Sequence, residues 1–204
     1  MPSFFDGGME IIMYKLQMKF QGIIAYVTLA AAALTFIYSL GVSTNAYSLR
    51  TIEALSIEIP GMEMFYEMQP FNKSFTTYSI ALILLAVAGL IANNHKRRKY
   101  YIANYCTIAL SSLANIAVAL WAFANVFDYK AKYLAVDYSN LSIVPEQVLK
   151  DLKINVTTLG STFWFDISIF VLSALILASL LNIANMIFKI YVMREEKRLL
   201  KEGD

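Results

Sequence analysis

Four stretches free of Asp, Glu, Lys and Arg constrain this chain more than any motif in it: Phe20 to Leu49, Ser74 to Asn94, Tyr100 to Phe127 and Ile167 to Phe188. Each reaches the roughly 20 apolar residues that carry a helix across about 30 Å of hydrocarbon. A bilayer interior offers no water to backbone N–H and C=O groups, so such stretches must satisfy them internally as helices. The sequence predicts an all-α integral membrane protein with four transmembrane helices, near residues 23–42, 76–94, 103–127 and 165–188, in a single domain covering 1–204. Only 16% of the residues are charged, against roughly 25% in soluble domains.

Lys15 and Lys19 precede the first apolar run, as basic residues precede a secretory leader, and Thr44-Asn45-Ala46 offers small residues downstream. A leader core is about 7 to 15 residues long. Here no charge appears between Phe20 and Arg50, so an uncleaved first span is expected. The segment Met9 to Gln21 reads as that helix continuing out of the membrane, with Glu10, Gln17 and Gln21 on one side and snorkelling lysines on the other. Gly7 and Gly8 are expected to break the chain just before it.

Orientation follows from the basic residues, because Lys and Arg in short loops are retained in the cytoplasm. Lys15, Lys19, the knot His95 to Lys99 and the tail residues Lys189, Arg194, Lys197, Arg198 and Lys201 fall on one side. Lys96, Arg97, Arg98 and Lys99 of the knot are the topology signal, and they place both termini and the tail 189–204 in the cytoplasm. Two larger loops, 43–75 and 128–162, then face outward and are expected to pack as one small cap. Leu55, Ile57 and Ile59 alternate with polar residues as in a short strand, ended by Pro60-Gly61. Pro145 and Glu146 suit the start of a short helix reaching Leu152. The tail reads as a helical continuation in which Glu195 and Arg198 pair at i,i+3.

Within the spans the informative residues are uncharged. Thr107, Ser111, Asn115 and Ala119 recur every four residues, as do Thr28, Ala32, Thr35 and Ser39, and also Ala174, Ala178, Asn182 and Asn185. Ala81, Leu85, Ala88 and Ala92 form a weaker stripe, with Gly89 as a close-contact point. Small residues let helices approach, and amides bond across them at about 0.6 to 2 kcal/mol each. Thr107, Ser111, Asn115, Asn182 and Asn185 are therefore the expected helix-packing or partner contacts. With no proline expected inside a span, broken helices are not signalled. Asp166 sits 23 residues before Lys189, about 34 Å along a helix, which puts it at the outer interface rather than the midplane. Phe163, Trp164 and Phe165 beside it fit an aromatic belt. Cys106, the one cysteine, is expected to pack as a small hydrophobe.

Met62, Met64 and Met68 cluster with Phe65 and Tyr66 in the first outer loop. Thioethers can bind Cu(I), but no His or Cys joins them. The expected role is a sticky outer-loop interface. Asn72, Asn140 and Asn155 each open a glycosylation pattern on the expected outer side. His95 is the sole histidine and no catalytic motif is present, so neither enzyme, metal nor cofactor is expected. A net charge of +2, held at membrane edges, argues against nucleic acid.

These features point to a non-enzymatic accessory or structural subunit of a larger membrane complex, a transporter assembly of a bacterial plasma membrane. Its partners would be other integral membrane subunits and the bilayer. The alternatives are a small homo-oligomeric channel or carrier, and an outward-facing receptor.

Overall fold

The period of the buried residues, not the absence of charge, sets where the helices end. The computed structural model describes residues 4–43, 59–94, 102–140, 144–151 and 160–202, and among the described residues the regular structure is helical with no strand. Helix α1 runs Phe4–Gly41, α2 Glu63–Asn93, α3 Ile102–Leu134, α4 Glu146–Asp151 and α5 Phe163–Glu202. Four contain segments long and apolar enough to cross a membrane: Met13–Gly41, Glu63–Asn93, Ile102–Leu134 and Phe163–Glu195. The chain is thus a helical bundle of multi-pass membrane type.

The four long helices close a ring in which α1 packs on α2 and α5, and α3 packs on the same two. Gln21 of α1 meets Asn104 at the start of α3, and Gln17 meets Asn185 near the end of α5. At the opposite end Tyr129 of α3 reaches Glu67 of α2 and Lys130 reaches Asp166 of α5. One end of the bundle therefore carries both chain termini, and the other carries the two longer connections. Outward faces are apolar, with Ile37, Leu84, Leu113 and Phe170 all exposed, as hydrocarbon contact requires.

The second helix begins at Glu63, far ahead of the expected start at 76. On α2 the residues Met64, Met68, Phe71, Phe75, Ser79, Leu82 and Ala86 are buried, spaced three or four apart, while Glu63, Glu67 and Lys73 point outward. An inward stripe with charges on the other face is an amphipathic helix end, not a loop. Pro70 consequently lies inside a helix that sequence reading expected to be free of proline. The donor it lacks would have served the Tyr66 carbonyl four residues earlier; the carbonyls on either side accept from side chains, Phe65 from Gln69 Nε2 at 2.9 Å and Glu67 from the Tyr129 hydroxyl at 3.0 Å.

Other expectations need the same correction. Helix α1 runs through Gly7 and Gly8 without a break, and α3 continues seven residues past the expected end at 127, to Leu134. On α2 the stripe that packs is the one through Phe75, Ser79, Leu82 and Ala86; Ala81 is exposed. Gly89 is no close-contact point, since a Cβ there would meet nothing within 4 Å. Cys106 is exposed, on the outside of α3, rather than packed. Asn72 lies buried in α2, which removes it as an acceptor for glycosylation, and Asn140 sits half-buried in a short 3₁₀ turn. Leu55, Ile57 and Asn155, together with the whole knot from His95 to Lys99, lie outside the described residues.

Where the reading holds, it holds for stated reasons. Helix α4 starts after Pro145 with Glu146 in its first turn. Asp166 sits exposed in the first turn of α5, 2.5 Å from Lys130 Nζ and 2.6 Å from the Thr162 hydroxyl, far from the middle of the bundle. Glu195 and Arg198 pair at 3.0 Å.

Parts of the two longer connections meet at the loop end. The Asp137 N–H donates to the Pro60 carbonyl at 3.0 Å, and the Gly160 N–H to the Tyr133 hydroxyl at 2.9 Å. Gly61 takes φ +85°, and a Cβ there would approach the Val136 backbone at 3.3 Å, so both conformation and space favour glycine. Outside the spans, Asp137 is held below the usual carboxylate range because the Ser139 N–H donates to it at 2.9 Å.

Gly41 ends α1 directly against Trp164, and a Cβ at Gly41 would run into the indole ring. Gly41→Val is expected to destabilise the bundle by about 1 to 3 kcal/mol through overpacking, with Trp164 displaced. Thermal melting in detergent, with indole emission as the local readout, checks this; unchanged melting and emission would show that α1 and α5 have slack here.

Candidate functional site: a buried amide and lysine cluster

Polar side chains gather inside the end of the bundle that carries the termini. On α1 the residues Gln17, Gln21 and Thr28 fall on the inward face, on α3 Asn104, Ser111 and Asn115, and on α5 Asn182, Asn185 and Lys189. Each set is spaced three, four or seven residues apart, so helix geometry alone brings it onto one side. Ring closure then turns the three faces toward one another.

The centre of the cluster is the side-chain oxygen of Asn104. It accepts from Gln21 Nε2 at 2.7 Å and from Lys189 Nζ at 2.6 Å, joining three helices at one atom. Gln17 Nε2 donates to Gln21 at 3.1 Å and to Asn185 Oδ1, also at 3.1 Å, which closes the circuit back to α5. Lys189 is fully buried. Its ammonium also lies 4.4 Å from the centre of the Tyr105 ring, where the π-face supplies negative potential. Sequence reading used Lys189 as a marker of the inner membrane edge; the structure turns it into the bundle instead, because a carboxamide oxygen waits there. One to two turns further in, Asn182 Nδ2 donates to the Thr28 hydroxyl at 2.7 Å.

Not every polar atom in this interior has a protein partner. Among the described residues Gln17 Oε1, Asn93 Oδ1, Asn104 Nδ2, Asn185 Nδ2 and both amide atoms of Asn115 are buried without one. A small cavity of about 20 Å³, lined by Gln21, Thr28, Ser111, Asn93 and Asn182 among others, lies beside Asn93. That volume holds about one water, and the lining offers the partners a buried water needs. Gly89 borders this cavity, which is why a Cβ there would touch nothing.

Toward the loop end the interior changes character. Phe71 stacks on Phe75 with ring centres 5.5 Å apart and lies 5.1 Å from Trp121, and Tyr38 meets Phe75 edge-on at 5.9 Å. Met64, Met68, Leu172 and Val126 fill the space around them. The bonded amide and lysine cluster thus occupies one half of the core and the aromatic cluster the other.

Of the residues expected to make contacts, Ser111, Asn115, Asn182 and Asn185 are buried inside this chain's own bundle, and Thr107 is half-buried with its hydroxyl on the Asn104 carbonyl at 3.2 Å. Met62, Met64 and Met68 do not form an exposed lip. They are core residues, Met68 only 2% exposed, because the segment that holds them is helical. Phe65 packs edge-on against Tyr133 with centres 6.1 Å apart, and Tyr66 is half-buried. Asn104 was not singled out in the sequence, and Gln17, Gln21 and Lys189 were read there as residues of the membrane edge rather than of the core. Their signal is present there all the same: Gln17 and Gln21 share a face of α1, and Asn182, Asn185 and Lys189 share one of α5.

Comparison with protein-family models, curated proteins and solved structures finds no match to this chain.

Carboxamides neither gain nor lose protons near neutral pH, so the cluster's chemistry is hydrogen bonding and charge placement. Asn104→Leu removes the acceptor shared by Gln21 and Lys189 and is expected to cost about 2 to 3 kcal/mol, as for a buried hydrogen bond to a charged group. Asn115→Leu removes amide atoms with no protein partner among the described residues, and its expected cost stays within about 1 kcal/mol. Thermal or denaturant unfolding of both variants in detergent checks the order; an Asn115 variant weaker than the Asn104 variant would relocate the key amide to mid-bundle.

Proposed function

We propose that this protein is a non-enzymatic accessory or structural subunit of a larger assembly, such as a transporter, in a bacterial plasma membrane. One observation carries the reading: the hydrogen bonds that Gln17, Gln21, Asn104, Asn182 and Asn185 make tie α1, α3 and α5 to each other, through one another, Thr28 and Lys189. A bundle bonded to itself in this way is a fixed body that acts through its surfaces. The loop end supplies one such surface, where Lys132 pairs with Glu67 at 2.7 Å beside Tyr129, and Phe163 and Trp164 are exposed. The two outer connections form its cap. The opposite end supplies another, since α5 runs on to Glu202, seven residues or about 10 Å beyond the spanning segment that ends at Glu195. In this reading the end rich in Lys and Arg faces the cytoplasm.

A second reading, a small homo-oligomeric channel or carrier, draws on a different observation. The unpartnered amide atoms and the water-sized cavity support a hydrated interior that continues inward from the Asn104 cluster.

Gentle detergent extraction from the native membrane, followed by mass spectrometry with stoichiometry, separates the two. A partner protein recovered at fixed ratio is the result expected of a subunit. Recovery as monomer or homo-oligomer, with solute or ion flux in liposomes that Asn104→Leu abolishes, would replace it with the carrier reading.

A further inference from the structure

Outside the bundle, between α1 and the end of α2, lies a groove of about 360 Å³. From α1 it is lined by Lys15, Lys19, Gly22 and Tyr26, and from α2 by Asn93 and Asn94. The four α1 residues fall at i, i+4, i+7 and i+11, which is one stripe along one helix face. Gly22 keeps the floor of the groove low, its nearest neighbour from a virtual Cβ being Asn93 Nδ2 at 3.8 Å. Lys15 and Lys19 stand exposed near the first residues of the spanning segment Met13–Gly41, while Tyr26, 64% exposed, lies further toward its middle. The groove therefore begins at headgroup depth and runs toward the hydrocarbon.

Its charge is one-sided. No acidic residue contributes to the lining, and the sequence passes directly from Asn94 into His95-Lys96-Arg97-Arg98-Lys99. Basic pockets between spanning helices, at the membrane edge, match the headgroups of anionic lipids. Beside the groove Ile23 of α1 and Ile91 of α2 are both exposed, as acyl chains require.

We propose that this groove holds an anionic phospholipid. Its phosphate diester lies between Lys15 and Lys19, and its acyl chains run past Tyr26 along the outer faces of α1 and α2. The inference needs the bundle to lie in a bilayer and is independent of any protein partner.

The test uses the full chain in nanodiscs of phosphatidylcholine and phosphatidylglycerol, with retained lipid counted by native mass spectrometry. Phosphatidylglycerol is expected to be retained over phosphatidylcholine, and Lys15→Gln with Lys19→Gln to weaken that retention about tenfold or more. Gly22→Leu, which keeps both lysines and fills the groove, is expected to weaken it as well. Arg194→Gln with Arg198→Gln makes the same charge change on the tail helix and is expected to leave retention unchanged. Retention unaffected by the lysine pair, or lowered equally by the arginine pair, would overturn the site in favour of diffuse charge. Displacement of the lipid by millimolar inorganic phosphate would show a free-anion site instead and would equally overturn it.

Discussion

Two hydrogen bonds to a single oxygen, on Asn104, hold this bundle in register. Hydrocarbon provides little drive for apolar helices to associate, because lipid chains are as apolar as the side chains they would replace. Close packing of small residues and a few directional bonds must therefore select one arrangement among many. Asn104 receives Gln21 from α1 and Lys189 from α5, so a shift of α3 by a single turn, about 5.4 Å, would break both, and the same shift of α1 or α5 would break one. The Gln17 to Asn185 and Asn182 to Thr28 bonds repeat the α1 to α5 constraint at other depths.

The aromatic half of the core works by different physics. Phe71, Phe75, Trp121 and Tyr38 meet at centre distances between 5.1 and 6.3 Å, where edge and offset contacts add to area burial. Such contacts tolerate small adjustments that a hydrogen bond does not. The bundle is thus pinned at the end with the termini and filled at the end with the loops. At the loop end, pairs such as Lys130 with Asp166 are part-exposed and contribute little on their own.

The helical class, the existence of four spans and their approximate centres were legible because hydrocarbon thickness imposes a length that charge-free runs record directly. The start of α2 was not, since Glu63, Glu67, Pro70 and Lys73 resemble a loop when charges are counted. The stripe Met64, Met68, Phe71, Phe75 carries the helix through them once spacing is counted instead. The same error turned three core methionines into an expected surface. Asn182 and Asn185 were legible as contacts because helix periodicity exposes them. Asn104 and Lys189 were hidden by their position near span ends, where a polar residue is ordinarily solvated and only the facing helix reveals otherwise.

Burial of Lys189 also bears on how the chain is made. Inserted alone, the last helix would let this ammonium snorkel to the headgroups; its acceptor, Asn104, lies on a helix that precedes it in the chain. The final helix therefore enters the bilayer with a polar group whose resting place already exists when the earlier spans are in position. Chain order thus lets α5 close on an acceptor carried by a helix made before it.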